Sequence, residues 1–160
     1  GTLEPRKNLS RLIQAVSSMR DAPPLLIAGM EGWGDEVPVL NHDVRFLGFV
    51  PAHNLPAIYE ACTVFAFPSI FEGYGLPVIE AMAHGAPVVT SRGISTEEVA
   101  GGAAVLVDPL NVDSIVDGIR KAMSSADELR ARGLERARDA SWATTAELTV
   151  AAYRDTLERA

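Results

Sequence analysis

The chain has 160 residues, 48% hydrophobic and 22% charged, which suits one folded domain and excludes a disordered segment or two well-built domains. A net charge of −7 argues against nucleic acid as a main partner, and the single cysteine, Cys62, allows neither an internal disulfide nor a cysteine-based zinc site, so a reducing, cytoplasmic setting is expected. No apolar run approaches the ~18 residues of a membrane span, and the sequence opens on no signal-peptide pattern.

Hydrophobic spacing predicts the elements in chain order. Leu9, Leu12, Ile13, Val16 and Met19 recur at helical spacing, with Asn8 as the expected N-cap and Pro23 and Pro24 as the stop. Residues 25–29 form a short apolar run typical of a buried parallel strand. The segment 30–43 is irregular, with Gly32, Gly34 and Pro38, and has little room for a helix. A strand over 44–47, a helix over 55–61 and a strand over 64–67 follow, the last halted by Pro68. Pro77 falls in the first turn of the next helix, where a missing N–H is harmless. A strand over 88–90, a helical turn near Glu97 and Glu98, and a strand over 104–107 come next. Helical pattern covers 112–123, 128–139 and 144–159.

Short apolar strands alternating with helices predict an α/β fold, a doubly wound parallel sheet with a helical C-terminal tail. Such sheets bind ligands outside the carboxyl ends of their strands, here near Gly29, after Leu47, at Pro68 and Ser69, and at Thr90 and Ser91. The charge is unevenly spread. Residues 1–20 carry +3, residues 21–119 carry −11, and the remainder carries +1. A basic cluster kept at one end of an acidic protein suits either an anion site or a solvated helix face.

The stretch Phe71-Glu72-Gly73-Tyr74-Gly75-Leu76-Pro77-Val78-Ile79-Glu80 is a glycine-rich loop running into a helix N-terminus. Gly73 and Gly75 permit a close backbone approach, and the unpartnered N–H groups of a helix start suit a phosphate. Glu80, about one turn into the helix, is placed to accept hydrogen bonds from a vicinal diol, and Glu72 to meet hydroxyls on the far side of a bound phosphate. Val78 replaces the third glycine of the dinucleotide fingerprint, and no Gly-Lys-Ser/Thr follows, so neither that motif nor a P-loop is present. Loop physics alone leaves open the plainer reading, in which the acids merely favour a helix start and the glycines merely turn the chain.

Two glutamates around Gly-Tyr-Gly-Leu-Pro resemble the E-x7-E motif of retaining glycosyltransferases of family 4, which have the GT-B fold. The resemblance extends to Glu4-Pro5-Arg6-Lys7-Asn8, Phe46-Leu47-Gly48-Phe49-Val50-Pro51, Phe67-Pro68-Ser69, Pro87-Val88-Val89-Thr90-Ser91, Gly101-Gly102-Ala103-Ala104, Val107-Asp108-Pro109 and Ser141-Trp142, in family order. It covers essentially the whole sequence.

The resemblance implies the Rossmann-like, C-terminal donor-binding half of a two-domain enzyme. An N-terminal acceptor domain and the first strand of this half are expected to be absent from residues 1–160. It implies a hexose, of mannose or glucose type, carried by a nucleoside diphosphate (GDP-mannose or UDP-glucose) and moved to an acceptor hydroxyl with retention. No metal or other cofactor is implied. Lys7 matches the lysine against the donor diphosphate, and Arg6 stands in for an arginine that many members carry at the position of Thr2. Glu72 matches the residue near the transferred sugar, and Glu80 the one on the ribose. Tyr74, Gly75 and Leu76 match loop positions facing sugar and phosphate, and Phe49 and Val50 fall in the turn beside the base. His42, His53, His84 and Trp33 read as structural or surface residues. Two other readings stand beside this one: a non-catalytic nucleotide-sugar-binding module, and part of a nucleotide-sugar epimerase. A bacterial source is expected from the preference for arginine over lysine, twelve to two.

Overall fold

A computed structural model describes residues 2–30 and 43–159; the expectations for Trp33, His42 and the segment between Met30 and Asp43 lie outside the described residues. A 3-10 turn, Pro5–Lys7, leads into α1 (Leu9–Ser18), β1 (Leu25–Ala28) and β2 (Val44–Gly48). A second 3-10 turn, Ala52–Asn54, precedes α2 (Leu55–Ala61), β3 (Phe65–Phe67), α3 (Leu76–Ala83), β4 (Val88–Ser91), α4 (Ser95–Ala100) and β5 (Val105–Val107). Three helices finish the chain: α5 (Val112–Ser124), α6 (Ala126–Asp139) and α7 (Trp142–Glu158).

Among the described residues every strand pairing is parallel, as the alternation of strand and helix predicts. The strands form two sets, β1–β2 and β3–β4–β5. The second set is covered on both faces, because successive side chains of a strand point to opposite sides. Val89 packs with α1 and α5, against Leu12, Ile115 and Ile119. Its neighbour Val88 packs with α3 and α4, against Val78, Met82 and Val99. Helix α5 approaches this sheet closely: a Cβ at Gly118 would stand 2.2 Å from Val107 Cγ1, so only glycine fits.

Asn8 departs from its expected role. It directly precedes α1, but its side chain makes no cap; it adopts φ 60°, ψ 34°. Its Nδ2 donates instead to the carbonyl oxygens of Pro68 at 2.9 Å and Pro109 at 2.6 Å, drawing the loops after β3 and β5 to the start of α1. Asparagine tolerates this left-handed backbone better than most residues. Helix α7 begins with a true cap, Ser141 Oγ accepting from Thr144 N–H at 3.0 Å, and exposes Trp142, Leu148, Tyr153 and Leu157.

Candidate functional site

The site is built at the carboxyl end of β3. Pro68 halts that strand, and the loop that follows is strapped to its neighbours. Ser91 Oγ donates to the Ser69 carbonyl at 2.6 Å, and Ser95 Oγ to the Glu72 carbonyl at 2.8 Å. The loop ends at Gly75, with φ +108°, where a Cβ would lie 2.7 Å from Thr96 Cγ2. Backbone and neighbour together require glycine, and α3 starts immediately after it with Pro77 in its first turn. Gly73 has no positive φ, so the conformational demand falls on the second glycine of the pair.

The turn Pro5–Lys7 lies against this loop, with Ile70 N–H donating to the Arg6 carbonyl at 2.8 Å. Its two cations converge on one carboxylate from far along the chain: Arg6 Nη1 donates to Glu72 Oε2 at 2.6 Å, and Lys7 Nζ to Glu72 Oε1 at 2.7 Å. Arg6 Nε also donates to Glu4 Oε2 at 2.6 Å, and Lys7 Nζ sits 4.6 Å from the centre of the Phe67 ring. The Glu72 side chain is only 8% exposed. Burial by itself would raise its pKa, but hydrogen bonds from the Lys7 ammonium and Arg6, with the charge of Lys7, reverse that and hold the carboxyl below its ordinary value. Glu72 is therefore ionised at neutral pH and occupies both cations.

Glu80 lies on the exposed side of α3, where the Tyr59 hydroxyl donates to its Oε2 at 3.3 Å. Burial of the phenol, with the Glu80 charge beside it, pushes the Tyr59 pKa up, so the hydroxyl remains a donor across the usual pH range. Tyr74 and Leu76 flank the helix start with about half of each side chain open to solvent.

The structure thus joins Arg6, Lys7 and Glu72 in one ionic cluster and puts Tyr74, Gly75 and Leu76 on the loop that carries it. Phe49 and Val50 follow β2, the Phe49 ring 70% exposed, and no hydrogen bond among the described residues ties either to the cluster. Glu4, Asn8, Tyr59, Ser95 and Thr96 support the site without standing out in the sequence. Only Glu4 and Asn8 had a signal, by flanking the Pro-Arg-Lys turn. Of the histidines, His84 Nδ1 lies 3.3 Å from Glu60 Oε1 and His53 falls in the surface turn before α2. No group of three His, Cys, Asp or Glu side chains among the described residues is arranged to hold a metal ion. No helix among them is long and apolar enough to cross a membrane.

The arrangement suits a polyanion. Two cations meet on the loop that leads into the N-terminus of α3, while the Glu80 carboxylate, one turn into the helix, is exposed and accepts from Tyr59 through one oxygen.

A family model described as "Glycosyl transferases group 1" matches residues 1–140. The O-antigen chain mannosyltransferase B of Escherichia coli is 39% identical over 168 residues, covering 96% of this chain and 44% of that protein. The MMP alpha-(1->4)-mannosyltransferase of Mycolicibacterium hassiacum is 32% identical over 170 residues, covering 97% of this chain and 41% of that one. The chain therefore spans less than half the length of these curated relatives. Among solved structures, Anabaena HepE in complex with UDP-glucose superposes with a TM-score of 0.80 at 20% identity, over 98% of this chain and 47% of that one. The match is one of fold, and it agrees with the C-terminal, Rossmann-like half of a GT-B glycosyltransferase.

Proposed function

The chain belongs to the glycosyl transferases of group 1, and from that premise we propose that it is the donor-binding half of a retaining, family 4 hexosyltransferase. The observation that carries this reading is the convergence of Arg6 and Lys7 on Glu72, in the glycine-rich loop that leads into α3. In the proposed complex the donor diphosphate replaces the Glu72 carboxylate on both cations. Released from them, Glu72 turns to the hydroxyls of the transferred sugar. Glu80, oriented by Tyr59, accepts the two ribose hydroxyls, and the Gly75 and Leu76 amides face the phosphates. Phe49 and Val50 flank the base.

The same groups supply the chemistry assigned to this half. When the bond from the sugar's anomeric carbon to the diphosphate breaks and an acceptor hydroxyl attacks from the same face, negative charge grows on the departing phosphate. In this reading Arg6, Lys7 and the helix end meet that growing charge, with Glu4 and Ile70 holding Arg6 and the Phe67 ring beside Lys7. No step of this proposal needs a metal. An acceptor domain supplied outside residues 1–160 completes the enzyme, which we place in the cytoplasm.

Mannose is the favoured hexose, because the relatives at 39% and 32% identity are named mannosyltransferases. Glucose is the second choice, from the UDP-glucose bound by a structural neighbour. Calorimetric titration with GDP, UDP and ADP tests the reading. Binding of one of them is expected, strongest for GDP and weaker in high salt. Replacing Glu80 by alanine is expected to weaken that binding about tenfold, the loss of one or two hydrogen bonds to a charged acceptor. No binding of any of the three nucleotides, or an unchanged affinity in Glu80→Ala, overturns it.

A further inference from the structure

Three residues ahead of Glu72 stands a buried hydroxyl with nothing to bond. Ser69 is 0% exposed, and no hydrogen-bond partner meets its Oγ. A hydroxyl stripped of water and left unpaired is costly, and alanine in the same place would carry no such cost. The other buried polar residues among those described are all engaged. Thr90 Oγ1 donates to the Phe67 carbonyl at 3.1 Å, Ser91 Oγ to the Ser69 carbonyl at 2.6 Å, and Thr96 Oγ1 to the Ser91 carbonyl at 3.4 Å. Asn8 Nδ2 serves Pro68 and Pro109.

The backbone that carries this hydroxyl is pinned on three counts. Asn8 Nδ2 holds the Pro68 carbonyl before it, Ser91 Oγ holds its own carbonyl, and Ile70 N–H after it donates to the Arg6 carbonyl at 2.8 Å. Glu72 is its neighbour: the hydroxyl is near enough to favour the ionised form of that carboxyl. It completes no hydrogen bond there while the two carboxylate oxygens are drawn to Arg6 at 2.6 Å and Lys7 at 2.7 Å. The group best able to satisfy Ser69 is thus held beside it and committed elsewhere.

We propose that Ser69 is a positioning residue for Glu72: when an anion takes Arg6 and Lys7, the freed carboxylate accepts a hydrogen bond from Ser69 Oγ through one oxygen and keeps the other for hydroxyls of the bound ligand. This rests on the proposed function, in which a donor diphosphate takes both cations. The unpaired hydroxyl then weighs only on the unliganded chain. Binding relieves it, and so offsets part of what it takes to strip Glu72 from its two cations. A carboxylate released next to a polyanion would otherwise swing out to water. A donor already desolvated and fixed within reach keeps it at the site. Ser69 touches neither phosphate nor sugar in this arrangement and acts through Glu72 alone.

Melting of the unliganded chain at pH 8 is the first test. Ser69→Ala is expected to leave the melting temperature unchanged or to raise it. In an Arg6→Met/Lys7→Met background, where Glu72 has lost both cations and turns to Ser69, the same change is expected to lower it by at least about 2 °C. Equal losses in both backgrounds assign the hydroxyl to the fold alone, and no loss in either denies the second state; each result overturns the inference. The second test is calorimetry with GDP, or with whichever of UDP and ADP the native chain binds more tightly. Ser69→Ala is expected to weaken binding about fivefold, and to change it less than about twofold once Glu72→Ala has removed the carboxylate. Equal weakening with and without Glu72 also overturns the inference. Failure of all three nucleotides to bind the native chain defeats the proposed function, while the melting comparison still decides this inference.

Discussion

The two strand sets of this molecule differ in how completely they are covered, and the site is divided between them accordingly. All four residues of β4 are buried, with α1 and α5 on one face and α3 and α4 on the other. In the β1–β2 pair only Ile27 is buried, while Leu26 is 49% and Phe46 52% exposed. The cations, Glu72 and the α3 start all hang on the covered set, through Asn8, Ile70, Ser91 and Ser95. The exposed Phe49 ring, assigned to the base, follows the sparsely covered pair. Charge chemistry needs groups held in fixed positions, whereas contact with a flat base tolerates movement.

Stability separates the two regions most sharply. Gly118→Val drives a side chain into Val107 beneath the covered sheet and is expected to destabilise by about 3 kcal/mol, whereas Phe46→Ala on the open pair loses about 1 kcal/mol. Denaturant unfolding of both variants checks this, and equal losses would erase the distinction. Next in size is the binding contrast. Lys7→Ala is expected to weaken nucleoside diphosphate about 10- to 100-fold, and Phe49→Ala only about threefold, measured by calorimetry at one ionic strength.

One further effect has the opposite sign. Because Glu72 already occupies Arg6 and Lys7, Glu72→Gln is expected to tighten diphosphate binding up to about tenfold, while the intact sugar donor loses its advantage over the free diphosphate. The same residue sets an acid limit. A carboxyl whose folded pKa lies below its unfolded value stabilises the fold fully above the unfolded pKa and loses that contribution as pH falls through the folded one. The stability gap between the native chain and Glu72→Gln, measured at pH 7 and again near pH 3, is therefore expected to shrink at the acid end. A gap that widens on acidification would contradict the ion pairs.

Local pattern made much of this legible. The buried strands and the amphipathic α1 and α5 announce themselves by composition and period, and their ends fall within one or two residues of where proline and glycine place them. The double-glutamate loop and the basic turn were legible through their resemblance to a known family. Asn8 was not. Its position says helix cap, yet its amide is claimed by Pro68 and Pro109, distant in sequence, and nothing local encodes such partners. Nor does Tyr59 reveal in sequence that it will orient Glu80. The division into two strand sets was equally hidden, since periodicity reports which residues are buried and not which strands lie side by side.

The carboxylate resting on Arg6 and Lys7 also acts as a tethered competitor. Covalently attached to the loop and held 2.6–2.7 Å from both cations, it presents an effective local concentration that no dilute anion in solution matches. Chloride or a lone orthophosphate must displace it with little else to gain. A ligand whose nucleoside and sugar are gripped elsewhere brings its own tether and meets Glu72 on equal terms. On the proposed reading, selectivity for an extended donor over small anions thus arises before any contact with base or sugar discriminates further.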